Sequence, residues 1–384
     1  MNEIEMLSIH DRECICYDIR EAQGTLLVGL VVEGGSVLEE ECEKGYTHFL
    51  EHVMLSFSKE DRRIRCRGYT DFYYTYYIFS ITSDMFNVCM DLIDEILAGK
   101  YITTYNVERV RKDVIAEYKE FMVSKKEFNY ILEGTDYINH LAIGKIENIQ
   151  SCNSCDLLDF FKEKYQSQFI DIIIIGDISK IDAKKCITKK HNYTGQKKEI
   201  SLLGKKYGAI INAPIVLKGM HIYFYKEKCY KNKVSYVMKL VIEEILFSLI
   251  EGITSSEVSK IDVSSLEQFV CIKLSNSWMH GDSNAFLNYI DRKIDKNIIK
   301  KHIREYKEQY KMYISKGTGV NLEKELLRCI NDLVYNGEII GYKEMISIIE
   351  QQLDIISTEQ IFEAYHSIFS QETYYVTIKN EVRY

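Results

Sequence analysis

Proline is almost missing from this chain: Pro214 stands alone among 384 residues, where average usage gives roughly 19. That excludes a proline-rich linker, a PxxP ligand and collagen-like structure. Long apolar runs are also missing. The longest candidates, around Leu26–Val32 and Ile172–Ile175, are strand-sized, well short of the ~18 residues a bilayer span needs. No membrane span or anchor is expected. Basic residues show no excess, at 49 against 57 acidic ones, and the net charge of -8 argues against nucleic acid as the main partner. The opening MNEIEML is acidic rather than basic-then-apolar, so it does not look like a secretory signal. The eleven cysteines are scattered and odd in number. Free thiols in a reducing cytoplasm are the expectation. Cys152-Asn-Ser-Cys155 is a lone CxxC without the second pair that a zinc site wants, so it receives no redox or metal role.

What is present suits a folded globule. With 46% hydrophobic and 28% charged residues, the chain has ample core material. A prior of ~150 residues per domain gives two domains, possibly three. Thr25–Glu33 is predicted to be a buried strand closed by Gly34-Gly35. The acidic stretch Glu39–Glu43 is expected to be a solvated loop. Helices are predicted at Tyr46–Phe57, Met85–Leu97 and Val107–Phe121, and strands at Tyr73–Ile81 and Phe169–Ile175. The stretch Lys184–Lys206 is Lys-rich and weakly periodic, which places a boundary near residue 200. Domains 1–200 and 201–384 follow. Residues 155–177 and 357–380 both pattern as a helix, a polar break and an apolar strand, so the halves are expected to be copies of one α+β unit.

The strongest local signal is His48-Phe49-Leu50-Glu51-His52, an HxxEH motif. At 100° per residue, His48, Glu51 and His52 fall in one narrow sector. Phe49, Leu50, Val53, Met54 and Phe57 fall opposite. Imidazoles at i and i+4 can reach one zinc ion, and a carboxylate just before the second can reach the water that attacks. The competing interpretation is a helix with two surface histidines. A catalytic zinc needs a third protein ligand. The helix Val107–Phe121 has an apolar stripe of Val107, Val110, Val114, Tyr118 and Phe121, and Glu117 falls inside it. A carboxylate on an apolar face is costly unless paired or metal-bound, so Glu117 is the acid most in need of a cation. A core salt bridge to a nearby lysine is the alternative.

On these residues the chain resembles the insulinase/pitrilysin (M16) metallopeptidases, the inverzincins. Residues Val28–Phe57 show the family's opening of strand, Gly-Ser turn, acidic stretch and Gly-x-x-His-Phe-Leu-Glu-His. The segment VERVRKDVIAEYKE is similar to the family segment that bears the third zinc ligand, which falls on Glu117. Arg67-Gly68-Tyr69-Thr70 with Thr75-Tyr76-Tyr77 resembles the family's Asn-Ala-x-Thr strand, and Asn139–Gly144 and Ile175–Asp177 fit later landmarks. The likeness covers 25–180 well and the rest weakly. Three departures stand out. The interval from His52 to Glu117 is 65 residues, short for the family, with the missing part replaced by Ser58–Cys66. Val110 stands where the family tends to carry a second glutamate. No Arg–Tyr pair appears at Glu251–Leu274, where the family's second half often supplies one.

The resemblance implies an α+β fold of two homologous domains, each an antiparallel sheet with helices packed on one side. It implies a zinc metalloendopeptidase with Zn2+ on His48, His52 and Glu117, and Glu51 as general base. A peptide would lie as an added strand at Arg67, Gly68, Tyr69 and Thr70. The small-subunit branch implies a second M16-type subunit, in a heterodimer or homodimer, and as substrate the leader of a ribosomally made bacteriocin precursor. The alternative within the family is a catalytically quiet subunit that binds substrate or holds an assembly together. His140 is expected to pack in a turn. His10, His191, His221, His280, His302 and His366 lack ligand spacing, Tyr73–Tyr77 is expected to pack as a strand, and Trp278 to sit in a core or interface.

Overall fold

The computed structural model describes residues 4–9, 12–59, 64–124, 131–132, 136–166, 168, 170–181, 184–185, 209–213, 220–227, 232–262, 267–274, 283–316, 321–336, 339–369 and 375–380. Pro214, Trp278, His10, His191, His280 and most of Lys184–Lys206 lie outside these. The chain divides into two compact units. The first holds Met1–Ser124, Asn139–Ile200 and Val320–Tyr342, and the second Lys125–Ile138, Ser201–Gly319 and Lys343–Tyr384. Two segments therefore depart from a single division near residue 200.

The first unit is a seven-stranded sheet built from β1 (Ile4–Ile9), β2 (Arg12–Asp18), β3 (Thr25–Val32), β4 (Arg65–Thr70), β5 (Thr75–Thr82), β6 (Ile170–Gly176) and β7 (Lys184–Lys185). Its order is β4-β5-β3-β6-β2-β1-β7. All pairs are antiparallel except β2 with β6. Alternation along β3 sets the two faces. Leu26, Val28, Leu30 and Val32 enter a core shared with α1 (Tyr46–Met54), α2 (Phe86–Leu97) and α3 (Thr104–Ser124). Gly29 faces the other way, where a Cβ would stand 3.1 Å from Leu326. That contact draws the late helix Leu322–Asn336 onto the first sheet, with Leu326 and Cys329 fully buried and Ile330 nearly so.

The second unit has β8 (Ala209–Ala213), β9 (Met220–Glu227), β10 (Glu257–Asp262), β11 (Glu267–Leu274) and β12 (Tyr375–Asn380). Their order is β10-β11-β9-β12-β8, with β12 parallel to β8 and the other pairs antiparallel. Replacing β2–β6 by β8–β12 reproduces the order β4-β5-β3-β6-β2, so the two sheets share one topology. The 155–177 and 357–380 likeness falls on the matching helix-plus-strand pieces that end in β6 and β12. The helix Lys233–Thr254 occupies the connection after β9 that α1 occupies after β3. It carries no histidine, and its buried acid, Glu243, is paired with Lys260 at 2.8 Å. The helix Lys296–Lys316 matches α3 in the same sense.

Boundaries shift where tertiary contacts override local pattern. α1 ends at Met54 rather than Phe57, passing into a tighter turn at Ser56–Lys59. The strand expected at Tyr73 starts at Thr75, because Tyr73 and Tyr74 are buried in the β4–β5 connection. Tyr77 is buried within β5, its hydroxyl 2.8 Å from that of Tyr165. Leu326→Ala would open a cavity against Gly29 and is expected to lower the unfolding free energy by about 2–5 kcal/mol, measured by urea denaturation.

Candidate metal centre

The site begins with how α1 starts. Gly45 precedes the helix at φ 101°, a left-handed conformation that favours glycine. It abuts Gly144, where a Cβ would lie 2.2 Å from the Gly45 Cα. The first N–H groups of a helix have no partner within it, and here a buried carboxylate takes them. Glu39, 1% exposed, accepts from Gly45 N–H at 2.9 Å and Thr47 N–H at 2.7 Å. This corrects the expectation of a solvated loop for Glu39, while Glu40, Glu41 and Cys42 are exposed as expected. Glu43 accepts the Glu40 N–H at 2.8 Å, and Lys164 bridges Glu40 and Glu43 at 3.0 and 2.6 Å. Glu41 pairs with Lys145. The segment is an ion-paired turn that anchors the helix. His140 packs in its turn as expected, with Nδ1 2.8 Å from the Lys44 ammonium.

The helix start fixed in this way turns His48, Glu51 and His52 to one side, while Phe49, Leu50, Val53 and Met54 are fully buried on the other. α3 crosses this helix with Val107, Val110 and Val114 inward. Arg111 locks the crossing. Its guanidinium lies 5.3 Å from the Phe49 ring centroid and donates to Cys152 O at 2.6 Å, at the end of the short helix Ile146–Ser151. One turn past Val114, Glu117 reaches the histidines.

The ligand atoms converge. The Nε2 atoms of His48 and His52 are 3.2 Å apart, and Glu117 Oε2 lies 3.2 Å from His52 Nε2 and 3.6 Å from His48 Nε2. A tetrahedral ion with ~2.0–2.1 Å bonds separates its ligands by ~3.3–3.4 Å, so the donor set fits a divalent metal. Among the described residues these three form the cluster able to hold one. Glu117 is not the buried acid that its place on the stripe suggested. Its side chain is 51% exposed, because α3 runs beyond the core after Val114. What marks it is its position opposite the histidines, not a burial penalty.

Burial lowers the His48 pKa to about 4, aided by His52, so this imidazole is neutral and a ready ligand. For His52, burial works against the charge, but the bond to Glu117 and the nearby carboxylates outweigh it and raise the pKa. Glu117 is held lower, chiefly by its bond to His52. Burial pushes Glu51 up to about 7. Its Oε2 accepts the Thr70 hydroxyl at 2.9 Å, and a Cβ on Gly68 would meet Oε1 at 2.4 Å. So Thr70 and Gly68, expected to bind substrate, position Glu51 with their side-chain faces. Arg67 and Tyr69 point to the other face of β4. Arg67 pairs with Glu323, and Tyr69 stacks on Tyr76 at 5.2 Å. The Nδ1 of His48 is buried with no partner among the described residues, which agrees with Val110 standing where a carboxylate was expected. Glu39, Thr70 and Arg111 were not foreseen in these roles. Only the acid ahead of a helix start offered a signal.

This site lies within residues 19–141, which match the family "Insulinase (Peptidase family M16)". The chain is 27% identical over 172 residues to mitochondrial-processing peptidase subunit beta of Bos taurus, covering 40% of this chain and 35% of that one. It is 28% identical over 201 residues to the probable mitochondrial-processing peptidase subunit beta of Schizosaccharomyces pombe, covering 48% and 43%. The match therefore spans less than half the length of these relatives. Two solved structures share the fold over 98% of this chain. The first half of the periplasmic protease PqqL from Escherichia coli has a TM-score of 0.76 at 14% identity and is 92% covered, and a protease from Helicobacter pylori has 0.66 at 16% and is 99% covered. The sequence match thus supports an M16 peptidase relationship for the part that carries the site, and the solved structures show the shared fold. No described helix is long and apolar enough to cross a membrane.

Glu39→Ala would strip the acceptor from two buried N–H groups. The expected loss is about 2–4 kcal/mol of stability, together with weaker divalent-metal binding by competition with a chromophoric chelator. Glu39→Asp, with a shorter reach, is expected to fall between.

Proposed function

We propose that the chain is a zinc metalloendopeptidase acting on small or extended peptides. The observation that carries this is the convergence of His48, His52 and Glu117 beside the buried Glu51. Zinc in this site would polarise the scissile carbonyl and acidify the attacking water. Glu51 takes that water's proton and passes it to the leaving amine. Its carboxyl is buried beside the histidines, within reach of both transfers. Thr70 and Gly68 hold Glu51 in place. The substrate pairs its backbone with β4, the outer strand of the first sheet.

The domains 1–200 and 201–384 take different roles. The first is catalytic. The second is non-catalytic, which its histidine-free helix Lys233–Thr254 supports. On the reading that the chain resembles AlbE of subtilosin-type bacteriocin maturation, the substrate is the leader of a ribosomally made bacteriocin precursor, cut in the cytoplasm with a second M16-type subunit, or with a second copy of this chain. The beta-subunit relatives support a paired arrangement.

The His48 Nδ1, without a partner among the described residues, favours a second reading, a catalytically quiet subunit, because metal-binding histidines normally donate that N–H to an acceptor. Elemental analysis separates the two. About one zinc per chain is expected, falling below a tenth in His48→Ala, while a metal-free native protein sinks the peptidase. Glu51→Gln is expected to keep zinc and lose at least ~10³-fold in peptide cleavage, followed by mass spectrometry. Co-expression with an M16-type subunit encoded in the same genome, where one is found, is expected to yield a co-purifying pair that is more active than either chain alone.

A further inference from the structure

The strand that would receive the peptide carries a charge pattern of its own. β4 is the outermost strand of its sheet among the described residues. Alternation divides its side chains into two rows. Gly68 and Thr70 belong to the row beneath Glu51. Arg65, Arg67 and Tyr69 form the opposite row, all exposed, beside Ser80, Ile78 and Tyr76 of β5. The charges of this row are not equivalent. Arg67 is neutralised by Glu323 in the first turn of the helix Leu322–Asn336. Arg65 meets no carboxylate among the described residues. Among the described residues, then, one guanidinium without a carboxylate partner stands about 10 Å along the strand from Gly68, at ~3.3 Å per residue.

A strand laid against β4 places each side chain on the same face as the residue opposite it. The side chain opposite Arg65 lands beside that guanidinium, three positions from the residue opposite Gly68. We propose that β4 selects extended peptides bearing aspartate or glutamate at that position, with Arg65 as the residue that determines the preference. This rests on the edge-strand docking proposed above. The chain as a whole carries a net charge of -8 and repels acidic peptides. A preference for them has to arise locally.

An alternating peptide removes the question of register, since every second side chain then faces one row. Two fluorescein-labelled peptides of equal length serve as probes. One alternates aspartate with threonine, and the other alternates lysine with threonine. Each is titrated into zinc-loaded Glu51→Gln protein at low salt and read by polarisation. The alternating acidic peptide is expected to bind about tenfold tighter than the alternating basic one. Arg65→Glu is expected to reverse the order of the two peptides. Equal or reversed order with native Arg65, unchanged order in Arg65→Glu, or no binding of either peptide overturns the proposal. The same peptides incubated with the zinc-loaded chain carrying native Glu51 keep the two ideas apart. Selective binding without cleavage removes the peptidase and leaves the selectivity, whereas cleavage without charge preference does the reverse.

Discussion

The site hangs on one buried carboxylate. Helix geometry alone brings His48 and His52 together, one turn apart, but where that pair points depends on where the helix begins. Glu39 settles it by accepting the N–H groups of Gly45 and Thr47 from inside the protein, with Gly45 pressed against Gly144 so that neither tolerates a side chain. A buried carboxylate on a helix N-terminus satisfies donors that would otherwise be stranded, and its charge meets the favourable end of the helix dipole. With the start fixed, Phe49, Leu50, Val53 and Met54 fill the core, and Glu51 falls onto Gly68 and Thr70.

The two sheets show what a shared topology does and does not carry. Both run in the same order with one parallel pair in the same place. Both place a helix after the second of the five matched strands. In the first unit that helix is short and presents imidazoles. In the second it is longer and apolar, and its buried Glu243 is satisfied by Lys260. The scaffold is the same, but a buried acid answered by an ammonium leaves no site for a metal. Function thus lies in side chains placed on the fold, not in the fold itself.

Much of this was legible in sequence. The HxxEH spacing named three of the four central residues, and the strand patterns of 25–33 and 169–175 located the middle of the first sheet. Glu117 does meet the two histidines, but not for the reason its sequence position offers. Its place on the α3 stripe suggested a buried acid, but periodicity gives the direction of a side chain around a helix and says nothing of how far along the core extends. The acidic run at 39–43 misled for a related reason. Four glutamates in five positions look solvated unless the groups awaiting them, here two backbone N–H groups, Lys145 and Lys164, are already in place. The late helix Leu322–Asn336 could not be assigned to the first sheet at all, because the hole it fills is a missing side chain at Gly29, some 300 residues earlier.

By itself, then, the sequence determined the local chemistry: an i, i+4 histidine pair with its glutamate, short strands, amphipathic helices and a repeated order of elements. These follow from spacing within one turn or one pleat, distances that covalent geometry sets. Only the tertiary structure decided how the ligand atoms meet, what holds Glu51, and which arginine of β4 pairs with a carboxylate. Each of those depends on residues far apart in the chain meeting within a few ångströms, and no local pattern encodes that distance.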